Sequence, residues 1–217
     1  MSDTAFRPFE TALDRDSALK RLRAATDGAD DGELFFERRR SESLVFDDGR
    51  VKSASYDASQ GVGLRAVRGE VAGYAHSSDI SEPALDRAVE TARLALGDGG
   101  GTMAAAPART NRHLYTDADP IAGAAFPVKL ETLREIDAFA RGLDARVVQV
   151  TATIAASIQE VVILRPDGTE VADIRPMTRL NVGVIVEQDG RREQGQAGGG
   201  GRVGLDGLID PADWQDK

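Results

Sequence analysis

Few side chains in this sequence could do chemistry, and their spacing excludes most kinds of active site. Cysteine is absent, which removes thiolate nucleophiles, disulfides and cysteine-ligated metal together. The two histidines, His76 and His113, lie far apart, and neither has a carboxylate or second histidine at an interval that holds zinc. His76 reads as a surface residue at a strand end. Asp117 and Asp119 begin like a calcium loop, but Ile121 stands where a third oxygen ligand belongs and Gly123 comes one place late. They read as turn formers. Asp30-Asp31 and Asp47-Asp48 are turn and loop acids without the desolvated pairing that acid–base catalysis needs. No serine sits in a nucleophile-elbow context, so no hydrolytic triad is expected.

Two glycine patterns imitate nucleotide sites. Gly61-Val62-Gly63-Leu64-Arg65-Ala66 matches a dinucleotide fingerprint, yet a glycine turn and another strand follow where phosphate binding needs a helix N-terminus. Glycines within strands are the better reading. Gly195 to Arg202 resembles a phosphate loop with arginine in place of the lysine and Val203 in place of the magnesium-binding hydroxyl. What remains is a main-chain feature. In the stretch Arg191 to Gly204, RREQGQAGGGGRVG, four glycines run together from Gly198 to Gly201. Ordering them costs more backbone entropy than ordering any other four residues, so a close backbone approach is expected there. The stretch follows a patterned strand, Leu180 to Glu187, and a turn at Gln188-Asp189-Gly190, and so reads as the returning arm of a hairpin. Such an arm suits pairing with another extended chain, a neighbouring subunit or a peptide. Gly198, Gly199, Gly200, Gly201 and Arg202 are therefore the candidate substrate contacts. For Arg202 a bidentate hydrogen bond to a substrate carbonyl or carboxylate and a structural ion pair with Glu193 or Asp206 stand side by side.

The elements that must position this arm follow from periodicity. Glu10 to Thr26 reads as a helix ended by Asp27-Gly28. Leu34–Phe36, Leu44–Phe46, Val51–Tyr56, Gly61–Val67 and Val71–Ala75 read as strands, with hairpin turns at Asp47-Asp48-Gly49 and Arg68-Gly69-Glu70 giving an antiparallel meander of about four strands. Ser81-Glu82-Pro83 starts a helix whose apolar face is Leu85, Ala88, Val89, Ala92 and Leu96, and Gly97 stops it. A second helix is expected over Val128 to Leu143, and then strands over Val147–Ile158, Val161–Leu164, Val171–Ile174 and Leu180–Val186. The fold class is thus α+β: two helix-plus-antiparallel-meander modules, residues 1–97 and 127–217, with the small-residue segment 98–126 as linker. Asp210-Pro211-Ala212-Asp213-Trp214 has helix-start chemistry immediately before the last residue, Lys217, and a single turn cannot sustain itself, so the chain reads as the N-terminal piece of something longer.

Composition narrows the class further. The chain has 217 residues, 41% hydrophobic, and a net charge of −9. That charge argues against nucleic acid as a partner, since phosphate affinity needs a basic face. No run of about 18 apolar residues and no apolar N-terminal core occur, so neither a membrane span nor a secretory signal is read, and a cytoplasmic location follows by default.

Two long motifs, YDASQGVGLRAVRGEVAGYAHSSDI at 56–80 and REQGQAGGGGRVG at 192–204, in this order and at this separation, closely resemble the N-terminal half of the TldD/PmbA family of metallopeptidases, the TldD branch in particular. The match covers about Glu33 to Lys217. The resemblance implies a protein roughly twice as long, whose zinc-binding HExxxH helix and further cysteine ligand lie in the second half. Neither occurs here, so no catalytic or metal residue carries over, and zinc is a cofactor of the full-length family member only. It further implies a cytoplasmic complex with a PmbA/TldE-like paralogous subunit, and cleavage of unfolded or extended peptides held strand-like, with Gly198 to Gly201 and Arg202 on the substrate path. The rival expectation is a stand-alone module that binds peptides or a partner by strand addition and has no enzymatic role.

Overall fold

The computed structural model describes residues 6–97 and 115–215. Most of the expected linker, residues 98–114, lies outside these, as do His113 and Lys217. The elements run α1 (Pro8–Thr11), α2 (Arg15–Ala25), β1 (Asp31–Asp47), β2 (Arg50–Arg68), β3 (Val71–Ser77), α3 (Glu82–Leu96), α4 (Phe126–Leu143), β4 (Val147–Leu164), β5 (Glu170–Gln188), β6 (Arg191–Gly201), α5 (Asp206–Ile209) and α6 (Pro211–Trp214). The strands form a six-stranded sheet in the order β3-β2-β1-β4-β5-β6, so the α+β class holds.

The strand pieces join up. Leu34–Phe36 and Leu44–Phe46 are two parts of the single strand β1, Val51–Tyr56 and Gly61–Val67 of β2, Val147–Ile158 and Val161–Leu164 of β4, and Val171–Ile174 and Leu180–Val186 of β5. The charged runs that look like interruptions are satisfied from neighbouring strands or loops. Arg38 donates to the carboxylate of Glu160 at 2.7 and 2.9 Å, Arg40 pairs with Asp119 at 3.0 Å, and Gln159 donates to Glu37 at 2.6 Å. A paired charge tolerates partial burial that a lone one does not. The first helix also differs: it breaks at Ala12–Asp14, where Asp14 turns out to cap α2 by accepting from the Ser17 amide at 2.7 Å.

The described residues fall into two compact units. The first takes residues 6–39, 59–97 and 159–174. Its core sets Leu19 and Leu22 of α2 and Leu85, Ala88 and Ala92 of α3 on Leu34, Phe36, Val62, Leu64 and Leu164 of the sheet. Helix α3 starts as the sequence predicts, with the Ser81 hydroxyl accepting from the Ala84 amide, and ends at Gly97 with φ +52°. It lies so close to β3 that a side chain at Gly73 would collide with the Ala92 carbonyl. The second unit takes residues 40–58, 115–158 and 175–215. Its core sets Leu133 and Ile136 of α4 against Leu44, Phe46, Ala152, Ile154 and Leu180, closed by Leu205, Leu208 and Trp214. Asp210 caps α6 as expected, accepting from the Ala212 amide at 2.9 Å. Lys129 of α4, 1% exposed, is paired with Glu42 and donates to the Ile121 carbonyl at 2.8 Å.

Candidate functional site

The glycine arm is built by a tight hairpin. Asp189 (φ 52°) and Gly190 (φ 78°) both take the left-handed conformation, which a two-residue turn requires to match strand twist and which the Asp-Gly dipeptide favours. The turn fixes the register, Gln188 opposite Arg191 through Thr178 opposite Gly201. Strand β6 is the last strand of the sheet order, so among the described residues its outer edge pairs with no further strand. Residues Arg191–Gly198 and Gly200 are exposed. An exposed, side-chain-free edge of this kind accepts another extended backbone.

The glycines serve a nearer contact as well. A Cβ on Gly198 would come within 2.6 Å of the Leu180 carbonyl and 2.7 Å of the Asn181 side-chain oxygen, and one on Gly200 would collide with the Thr178 carbonyl. The close approach inferred from the sequence is thus, at these two positions, to the chain's own β5. A Cβ on Gly201 would meet open space. Arg202 is exposed and its guanidinium stands 5.0 Å from the centroid of the Tyr115 ring, a cation–π contact. Among the described residues it makes no ion pair: Glu193 pairs with Arg191 at 3.4 Å instead.

Beside β6 lies a groove that the sequence did not disclose. It holds about 290 Å³ and is lined by Phe139 and Leu143 of α4, Val182 and Val184 of β5, the run Gly195 to Gly199, and Trp214. Trp214 packs edge-on against Phe139 at 5.5 Å. The available signal was apolar residues on α4 beyond one stripe, and Leu143 is 69% exposed.

The remaining candidates resolve into structural roles. Asp119 accepts from the Ile121 and Ala122 amides at 2.9 and 3.3 Å, a turn former. Asp30 accepts from the Gly69 amide at 2.6 Å, stapling the β2–β3 turn. Gly61 lies in β2, where a Cβ would come within 2.6 Å of the Ser77 carbonyl, so its glycine serves strand packing. His76 is exposed and stacks on Tyr74 at 5.7 Å. Asp47 accepts from Thr151 at 2.5 Å, Gln149 at 3.0 Å and Lys52 at 3.0 Å. These hydrogen bonds, that from Thr151 first, lower its pKa to about 2, so it is an ionised acceptor near neutrality and no general acid. Among the described residues no three His, Cys, Asp or Glu side chains converge to hold a metal. They do not fit the zinc that the resemblance implies. No helix among them is long and apolar enough to cross a membrane.

Comparison with known proteins gives this geometry a family. Residues 32–96 match the model of PmbA/TldA metallopeptidase domain 1, and residues 119–216 match the model of the PmbA/TldA metallopeptidase central domain. A metalloprotease TldD homologue from Haemophilus influenzae is 35% identical over 187 residues, which cover 85% of this chain and 39% of that protein. Among solved structures, a candidate modulator of DNA gyrase from Thermotoga maritima superposes with a TM-score of 0.70 at 16% identity, covering 87% of this chain and 43% of that one. TldE from Thermococcus kodakarensis gives 0.67 at 14% identity, covering 86% and 43%. Those two likenesses concern the fold. The chain thus spans about two fifths of the length of the proteins it matches, and it belongs to the PmbA/TldD metallopeptidase family.

Proposed function

We propose that this chain is the N-terminal, non-catalytic portion of a TldD-type zinc metallopeptidase, in which it supplies scaffold and substrate-docking edge while bond breaking and the zinc belong to residues outside it. The observation that carries the proposal is the open glycine edge of β6 in a chain matched to the first and central domains of a metallopeptidase family. An unfolded or extended peptide pairs along β6, its main chain bonded to the outward amides and carbonyls, with Gly198 to Gly201 and Arg202 on its path. A PmbA/TldE-like paralogous subunit completes the enzyme, in the cytoplasm.

The test is binding with and without the outward donors of β6. The two-residue turn directs the Arg191 amide at Gln188, so the amides of Arg192, Gln194 and Gln196 face outward. Gln196→Pro removes one outward donor and spares the ladder to β5. The purified chain is expected to bind a fluorescent unstructured casein peptide without cleaving it, and Gln196→Pro to weaken that binding at least about tenfold, a change of about 1.4 kcal/mol. Cleavage by the chain alone, or binding indifferent to Gln196→Pro, overturns the proposal. The second reading, a strand-addition module with no enzymatic role, rests on the same edge. Coding sequence downstream of Lys217 separates the two: an in-frame HExxxH supports the peptidase, a stop codon the module.

A further inference from the structure

The two faces of β6 are unlike. Gly195, Ala197 and Gly199 stand opposite Val184, Val182 and Leu180 of β5, and residues opposite one another in a ladder share a face. A Cβ on Gly195 would accordingly touch the Val184 side chain at 3.7 Å. That face is the one under α4, since Leu180 lies in the core with Leu133 and Ile136. There β6 carries two glycines and an alanine, where a strand over a core normally sets large side chains. The groove of about 290 Å³ lies against this bare strip, and no charged side chain lines it. Phe139, Val182 and Val184 are left partly buried along it and Leu143 exposed. The opposite face is largely polar, with Gln194 and Gln196 beside Thr151, Arg179 and Asn181.

The ladder to β5 uses the amides of Gly195, Ala197 and Gly199, so the main-chain groups of Gln194, Gln196 and Gly198 point away from β5. An antiparallel strand added there hydrogen-bonds to those three and sets its intervening residues opposite Gly195, Ala197 and Gly199. Such non-hydrogen-bonded pairs are the closer kind, with Cα atoms about 4.5 Å apart. The intervening residues face α4, and residues 195–199 form the edge and line the groove at once.

We infer that the groove selects the peptide: residues opposite Gly195, Ala197 and Gly199 are large and apolar and lie across the bare strip against Phe139, Leu143 and Trp214, and those between them are polar. The substrate class is then an extended segment in which apolar and polar residues alternate. That is the pattern of a half-buried strand, whose apolar side chains reach water only when its own fold is lost. The inference rests on the reading of β6 as the docking edge, and adds to it a reason to take one extended chain over another.

Two fluorescent peptides of identical composition test it on the purified chain: one alternates leucine with glutamine, the other gathers its leucines in one block, and both end in lysines for solubility. The alternating peptide is expected to bind at least about tenfold more tightly, because its leucines leave water together on one side. Ala197→Leu puts a side chain of the protein's own into the groove and is expected to erase that difference. Trp214 is the sole tryptophan, so its emission reports on the groove directly. In unlabelled alternating peptides, nitrophenylalanine in place of a central leucine is expected to quench Trp214 more strongly than nitrophenylalanine in place of the neighbouring glutamine. Equal affinities that both fall in Gln196→Pro, or equal quenching from the two positions, overturn the inference and leave β6 a docking edge without selection. Binding of neither peptide overturns the docking reading together with it. If Ala197→Leu fails to fold, the quenching pair still decides.

Discussion

The two units of this molecule differ most in how far their edge strands are covered. The first covers its sheet with α2 and α3, and β3 pairs with its stretch of β2. Even its deepest acid is provided for: Glu160, 4% exposed, takes two bonds from Arg38 and one from the Phe6 amide. The second unit covers its sheet mainly with α4, and its edge stretches Arg50–Ala58 of β2 and Arg191–Gly198 of β6 are exposed at every residue, whereas β3, an edge strand of the first unit, buries Gly73 and Ala75. An edge exposed at every residue is a liability in a finished monomer and an asset in a docking body. The first unit therefore reads as the anchor, the second as the part that meets other chains. The two edges differ in turn, since β6 is bare of side chains toward its end while β2 presents serine, alanine and one tyrosine.

The sharpest way to break this contrast is to insert the same side chain at a crowded glycine in each unit. Valine at Gly73 must displace the Ala92 carbonyl of α3, and valine at Gly200 the Thr178 carbonyl of β5. The first strains a helix locked into a core; the second strains an edge strand that can peel away. Gly73→Val is expected to lower unfolding stability by about 3 kcal/mol and Gly200→Val by about 1 kcal/mol, read from urea midpoints. Equal losses would mean that β6 is as integral as α3, and the contrast between anchor and docking body would go.

Next in size is Lys129. Its ammonium is buried against Glu42 and the Ile121 carbonyl, so Lys129→Ala leaves a partly buried carboxylate without its cation. A loss of about 2 kcal/mol is expected, below the full penalty for a buried pair because Glu42 keeps 20% of its side-chain surface in water. Lys129→Met should lose nearly as much, since it restores volume without charge. A Met variant as stable as the original would show that packing, not the pair, holds α4 in place.

What the sequence disclosed, and what it hid, follows the range of the interactions. Capping by Ser81 and Asp210, the Asp189-Gly190 turn and the stop at Gly97 are local, decided within a few residues, and all stand where the pattern puts them. The continuity of β1 and β4 was hidden, because Arg38 and Glu160 look like strand breakers until each is found to be the other's partner, 122 positions away. The break before Asp14 was hidden for the opposite reason: helix propensity around it is high, and a single capping acid overrides it. Of the candidate site, the arm was legible from its turn and its glycines. The groove beside it was not, since Phe139, Val182 and Trp214 come from three separate elements.

The smallest effect concerns Asp47, which ties the β1–β2 hairpin, and with it the open β2 edge, to β4 through Thr151 and Gln149. Its pKa is lowered to about 2 from 3.8 in the folded chain, chiefly by those hydrogen bonds. A depressed folded pKa means that the unfolded state binds the proton more readily. The contribution is therefore fully present above about pH 5 and is lost as pH falls through 4 toward 2. Its size is set at about 1 kcal/mol, less than the shift alone would give, because Lys52 is largely exposed and water screens it. Asp47→Asn should accordingly be less stable than the unmodified chain at pH 7 by about that amount, and the gap should narrow to about a third of it by pH 2.5 in paired urea titrations. A gap that is constant with pH would assign the loss to amide geometry rather than to charge. It would then leave the β1–β2 hairpin held chiefly by the turn at Asp48-Gly49.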